Sequence, residues 1–293
     1  MAACLSRRPY RYQFSTSWKD GGLYTISLPY FDAVNSAGTQ WGLDTLWLGT
    51  NGTQDREPVE IIIAGVTEPE FFVPVFGLMQ GEVGFQTATK KTIISTLNAE
   101  SKIPSQSFGY TAGSTASECR HESTKCLQLT EPDKKPGSLI LGGYDASKSD
   151  DATTLSLDMP SNSNGTMVVF VNAVSISGSS GNRPWSPSNF VIDSTLPQIW
   201  APVDVCRMFE EAFKLDWDDD LMLYTLSDAT HNVLLQDNPS VTFTFSSGRQ
   251  DKQIFNYTLP YSAFDLTLTP PRVNHTTYYF PLRRSLNGIN VLG

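Results

Sequence analysis

The sequence predicts a mainly β protein built as two lobes. Three observations carry this. Short runs rich in Val, Ile, Thr, Tyr and Phe recur along the chain, separated by Gly, Pro, Asn or Ser. Amphipathic helical spacing is strong in only two places. A polar stretch, "DASKSDDATTLSLDMPSNSNGT" (145–166), interrupts the chain near its middle. The expected lobes are residues 1–158 and 159–293.

The β-like runs, in order, are "GLYTISLPY", "TLWLGTNG", "VEIIIAGV", "GSLILGGYD", "MVVFVNAVSISG", "SVTFTFSSG" and "FNYTLPYSAF". "KKTIISTLNAESKIP" reads as a helix ended by Pro104, and "PVDVCRMFEEAFKL" as one with Pro202 in its first turn. In the second, Val205, Phe209, Ala212 and Phe213 share a face. No βαβ rhythm and no tandem repeat of 20–50 residues is present.

A chain of 293 residues is comfortable for two cores. Apolar residues make up 40% and charged residues 17%, a profile of ordered structure. The net charge of −9 and pI of about 4.8 disfavour nucleic-acid binding, which needs a basic surface. No apolar run reaches the length of a membrane span, and "MAACLSRRPYRYQF" lacks the apolar core of a signal peptide. Other features point to secretion or the cell surface. Sequons begin at Asn51, Asn164, Asn256 and Asn274, all in segments that read as turns or strand ends. Cys119 and Cys126 sit in one polar loop at a spacing that closes a disulfide hairpin in an oxidising compartment. Cys206 reads either as a buried free thiol or as the partner of Cys4.

The stretch "NFVIDSTLPQIWAP" (189–202) raises the chemical question. An apolar strand delivers Asp193 into Ser194 and Thr195. A carboxylate at a buried strand end is costly unless it is hydrogen-bonded or used. Taken with the helix that follows, this stretch resembles the second catalytic segment of pepsin-like aspartic peptidases, where apolar residues lead into Asp-Thr/Ser-Gly. "GLDTLWLG" (42–49) resembles that family's strand after the flap. "VFGLMQGEVG", "STLNAESKIPSQSFGY", "GSLILGGYDASK" and the final "GINVLG" are similar to further family segments, in the same order. The closest likeness is to divergent proteins of filamentous fungi.

The resemblance implies a bilobed acid-protease fold and peptide hydrolysis by two aspartates and a water, with no metal or organic cofactor. Two carboxylates about 3 Å apart cannot both ionise, so one serves as base and the other as acid. Asp193 fills the catalytic position and Ser194 the hydroxyl position. Thr195 replaces glycine, which adds β-branched bulk beside the carboxylate. Tyr30 falls near the place of the family's flap tyrosine, without the Tyr-Gly-x-Gly pattern. Asp44 reads as a structural strand-end aspartate, since Leu46-Trp47 follow "LDT". Residues 1–14 are too few to hold the first Asp-Thr-Gly segment, and Gly293 precedes the family's last strands, so both lobes are expected to be incomplete. With one candidate catalytic aspartate, the chain is expected to bind a peptide or protein in the interlobe cleft as a monomer without cleaving it. The alternative is a catalytically degenerate peptide-binding or structural protein of the same fold.

Other patterns are bland. His121, His231 and His275 read as surface histidines. "DWDDD" (216–220) lacks the Gly and Glu that a calcium loop needs, at Leu221 and Ser227, and reads as an acidic turn.

Overall fold

A computed structural model describes residues 10–26, 36–48, 57–65, 75–85, 88–112, 137–148, 154, 156–157, 166–178, 186–196, 198–246, 248, 254–270, 273–285 and 288–293. They divide between two compact units. The first holds the described residues of 1–111 with Ser138–Asp145, and the second those of Ala112–Gly137 and Ala146–Gly293.

In the first unit, β1 (Lys19–Ile26), β2 (Ser36–Leu48) and β3 (Glu57–Gly65) form an antiparallel sheet in that order. β1 pairs with β2 from Lys19↔Leu43 to Ile26↔Ser36, and β2 with β3 from Gln40↔Gly65 to Leu48↔Glu57. Gly42 is needed where it stands: a Cβ there would meet the Trp18 ring at 2.3 Å and the Lys19 carbonyl at 2.7 Å. Two smaller hairpins complete the unit, β4 (Glu82–Phe85) with β5 (Ala88–Lys91) and β6 (Phe108–Thr111) with β7 (Ser138–Leu141). Between them lies α1 (Ile93–Ala99), which buries Ile94 and Leu97. This helix stops before Pro104. Ser101 takes a left-handed φ of 57°, and the chain turns with Lys102 N–H donating to the Leu97 carbonyl.

The second unit is built on a seven-stranded sheet. Its members are β8 (Val168–Ile176), β9 (Ser188–Ile192), β10 (Ile199–Ala201), β13 (Ser240–Ser246), β14 (Phe255–Pro260), β17 (Leu282–Arg284) and β18 (Val291–Leu292). Their order is β14-β13-β8-β9-β18-β10-β17. A four-stranded sheet runs β11 (Asp216–Asp218), β12 (Leu223–Leu226), β16 (Thr277–Phe280), β15 (Leu266–Leu268). Along β8 the chain buries Val169 and Val171, and, after a register shift opposite Thr244/Phe245 that changes the phase, Val174 and Ile176.

Helix α2 (Val203–Phe213) carries the predicted apolar face: Val205, Cys206, Phe209 and Phe213 are buried. Pro202 stands one residue earlier than expected, at the N-cap, and Lys214 ends the helix in the left-handed region. Phe209, Phe213, Phe264 and Phe280 pack ring against ring at the centre of the core. A third helix, α3 (Asp228–Asp237), was not legible in the sequence. Its residues show little amphipathic spacing, and its start is fixed by the Ser227 hydroxyl accepting from Thr230 N–H at 3.2 Å.

Candidate functional site

The structure puts Asp193 at the end of β9. Phe190 is buried in the core and Ile192 is 44% exposed, so the strand leads from interior to surface. Asp193 N–H donates to the Leu292 carbonyl at 3.0 Å. The chain then turns. Thr195 N–H donates to Asp193 Oδ1 at 2.9 Å, and Leu196 N–H to the Asp193 carbonyl at 3.3 Å. Leu196 is buried and anchors the far side of the turn.

The two arms of this turn, β9 and β10, are not paired with each other. β18 lies between them, parallel to β9 through Val291↔Val191 and Leu292↔Ile192, and antiparallel to β10 through Trp200↔Val291. Gly293 passes so close beneath the turn that a Cβ would sit 2.1 Å from the Leu196 carbonyl oxygen and 2.5 Å from that of Gln198. Asn290 fixes the other end of this insertion: its buried amide donates to Ser188 Oγ at 3.2 Å and to the Asn189 carbonyl at 3.1 Å.

Chemically, Asp193 presents a half-exposed carboxylate with one oxygen held by a backbone amide. Among the described residues, Oδ2 has no hydrogen-bond partner within the protein. That oxygen can bind a water or a reacting group. Ser194 and Thr195 are exposed. Thr195, the β-branched residue at the glycine position, is not among the described residues with left-handed φ, so the backbone there does not require glycine.

Asp44 behaves differently. It lies inside β2, opposite Ile61 of β3, and not at a strand end as expected. It is 4% exposed. Oδ1 accepts from Ser15 Oγ at 2.9 Å, from Ser17 Oγ and from Thr45 N–H at 2.7 Å, while Oδ2 accepts from Tyr10. Burial opposes ionisation, but the bonds from Ser17, Tyr10, Ser15 and Thr45 more than offset it, and the carboxyl lies below its usual range. Tyr10 is pushed up to about 12, by burial of its hydroxyl and by its bond to Asp44. With both oxygens engaged, Asp44 is an anchor for residues 10–17.

Two polar clusters in the second unit escaped the sequence. His231 was expected on the surface. Its side chain is instead buried, with Nε2 2.9 Å from Asp265 Oδ1 and its ring stacked on Tyr278 at 3.6 Å. His275 is exposed as expected, and His121 lies outside the described residues. Glu210 of α2 accepts from Tyr224 at 2.5 Å and from Arg284 at 3.0 Å, and the guanidinium lies over Trp217. Partners from α2, β12 and β17 are far apart in sequence and leave no local pattern. Cys206 is a free thiol, fully buried, with Sγ 3.4 Å from the Ala201 carbonyl. In "DWDDD", Asp218 Oδ1 accepts from Asp220 and Leu221 N–H, which makes a local turn.

Of the other expected positions, Asn256 lies exposed on β14 and Asn274 in an exposed bend before β16. Tyr30, Cys119, Cys126, Asn51, Asn164 and Cys4 lie outside the described residues. β1 and β2, which flank Tyr30 in sequence, pair antiparallel. No helix among the described residues is long and apolar enough to cross a membrane.

No protein-family model matches the chain, and no curated protein matches it by sequence. Among solved structures it is similar to an aspartic proteinase from Irpex lacteus, with a TM-score of 0.59 and 15% identity, over 97% of this chain and 78% of that one. The chain therefore has the mainly β, pepsin-like aspartic proteinase fold.

Proposed function

We propose, taking the pepsin-like fold as the premise, that this chain is a peptide-binding domain of the aspartic-endopeptidase type, with Asp193 as its retained catalytic carboxylate. The observation that carries the proposal is the Asp193 turn: a carboxylate held by one backbone amide, with its second oxygen unpartnered among the described residues, beside a strand insertion that ends at Gly293. In such a site the free oxygen orients a water toward a peptide carbonyl, and a second carboxylate shares the proton.

The second carboxylate is the missing partner. Asp44, the only other aspartate with part of the motif, has both oxygens saturated and cannot share a proton with a substrate. On this reading the chain by itself holds peptides without hydrolysing them. The sequons support a secreted or cell-surface protein.

The test compares the wild-type chain with Asp193→Asn at about pH 3–5, where a carboxylate pair works. One assay follows cleavage of a fluorogenic peptide, and the other its binding to an apolar, pepstatin-like peptide. The expected result is no cleavage by either form, with binding weakened about tenfold in the variant, a loss near 1.4 kcal/mol. Pepstatin-sensitive cleavage that disappears in Asp193→Asn would overturn the non-hydrolytic reading and make the chain a complete aspartic endopeptidase. Absence of peptide binding in the wild type would sink the site altogether.

A further inference from the structure

The seven-stranded sheet of the second unit ends at β14. Among the described residues β14 pairs with β13 alone, from Ser240↔Pro260 to Phe245↔Phe255, so its outer row of N–H and C=O groups has no strand beside it. An open edge is a template for unwanted pairing, and proteins blunt such edges with charge, proline or bulges. Here those devices are nearly absent. Neither β13 ("SVTFTFS") nor β14 ("FNYTLP") contains a charged residue, and the uncharged run continues from Ile254 to Phe264. The one proline of β14, Pro260, stands at its last position, and no register shift interrupts the pairing with β13. Ile254 and Tyr257 are about half exposed on this edge. The segment combines high β propensity, apolar surface and no charge, the composition of an aggregation-prone strand.

The centre of the same strand is Asn256-Tyr257-Thr258. Asn256 pairs with Thr244, and Thr258 with Thr242, on the face opposite the buried Val241 and Phe243. Asn256 is exposed. Its Oδ1 accepts from the Thr244 hydroxyl at 2.8 Å, which orients the amide. Its Nδ2 has no partner among the described residues. The Thr258 hydroxyl lies 2.8 Å from that of Thr242, exposed on the same face.

We infer that Asn256 carries an N-linked glycan and that this glycan is what protects the sheet edge. The donor is a lipid-linked oligosaccharide pyrophosphate. Asn256 Nδ2 attacks the anomeric carbon, the new N–C bond forms, the C–O bond to the pyrophosphate breaks, and the amide proton passes to a base of the transferase. No electrons are gained or lost. A bulky hydrated group in mid-strand prevents a second strand from approaching within the ~4.8 Å that pairing requires. The inference is independent of the peptidase reading.

The test uses the full chain secreted by a eukaryotic host. Its glycans are released by amidase treatment in ¹⁸O water, which marks each occupied asparagine as labelled aspartate. The expected peptide map shows the label at residue 256. A second arm trims the glycan to one sugar with an endoglycosidase and follows light scattering on mild warming. The trimmed protein and Asn256→Gln aggregate severalfold faster than the intact protein. Thr258→Ser, which keeps the sequon, does not. An unlabelled Asn256, whether or not Asn274 is labelled, overturns the modification. A labelled Asn256 whose trimming leaves aggregation unchanged overturns the protective role.

Discussion

Replacing Asp44 with asparagine asks whether a charge, and not only a shape, holds residues 10–17 against β2. The carboxylate takes three donors on Oδ1 and Tyr10 on Oδ2. Asparagine fits the same space, and Tyr10 can rotate its hydroxyl to accept from the new NH2. The three donors at Oδ1 then meet a neutral acceptor. Charge-assisted hydrogen bonds are about twice as strong as neutral ones, so each loses about 1 kcal/mol and the set about 3 kcal/mol. The pH dependence has a definite sign. Because the carboxyl of Asp44 lies below its usual range, its stabilisation is complete above the ordinary carboxylate value of about 3.9 and is lost only as pH falls through the lower, folded value. The gap between wild type and variant is therefore flat from about pH 7 to 5 and narrows below about 4. Urea unfolding across this range reports the gap through tryptophan fluorescence, since Trp18 lies against Tyr12 with ring centroids 4.8 Å apart. Amide exchange of residues 10–18 reports the first unit alone, which matters because two units need not unfold together. Equal midpoints at pH 7, or a gap that widens toward acid, would refute the reasoning.

Two further outcomes follow from packing. The Cys206 thiol is pushed up to about 12 by burial, so native protein at pH 8 leaves it unmodified by a thiol reagent, whereas protein in concentrated urea reacts fully; rapid native labelling at Cys206 would contradict its place on the buried face of α2. Gly42→Ala introduces a methyl that meets the Trp18 ring and the Lys19 carbonyl, and costs about 1–3 kcal/mol in urea unfolding with loss of the Tyr12–Trp18 ring contact; a variant as stable as wild type would mean that β1 does not lie on β2 in this register.

What the sequence revealed and what it hid have physical reasons. Helix α2 was legible because Val205, Phe209 and Phe213 fall on one face and that face is the core. Helix α3 was hidden because only His231 and Leu234 are buried along it; a cap at Ser227 and the bond to Asp265 hold it. The apolar runs located β3, β8, β13 and β14 within a few residues. β2 begins well before its run, since Ser36–Gln40 is paired by position and not by composition. The location of Asp193 at a strand end was readable from its flanks. That only one of its oxygens is bonded among the described residues was not, because it depends on the turn geometry. Asp44 was placed at a strand end, whereas pairing with β3 continues to Leu48, and its donors Tyr10, Ser15 and Ser17 lie some thirty residues upstream. Contacts of that range leave no periodic mark.

The insertion of β18 between β9 and β10 also sets an order of events. A turn whose two arms bonded each other would form early, as a local hairpin. Here neither arm has the other to hold, and the amide of Asp193 finds its acceptor at Leu292. Closing a loop of that length costs about 4 kcal/mol of chain entropy before any contact rewards it. Such non-local pairing is slow. The Asp193 backbone thus gains its place in the sheet only when β18 docks, whereas the bond from Thr195 that orients its carboxylate is local to the turn.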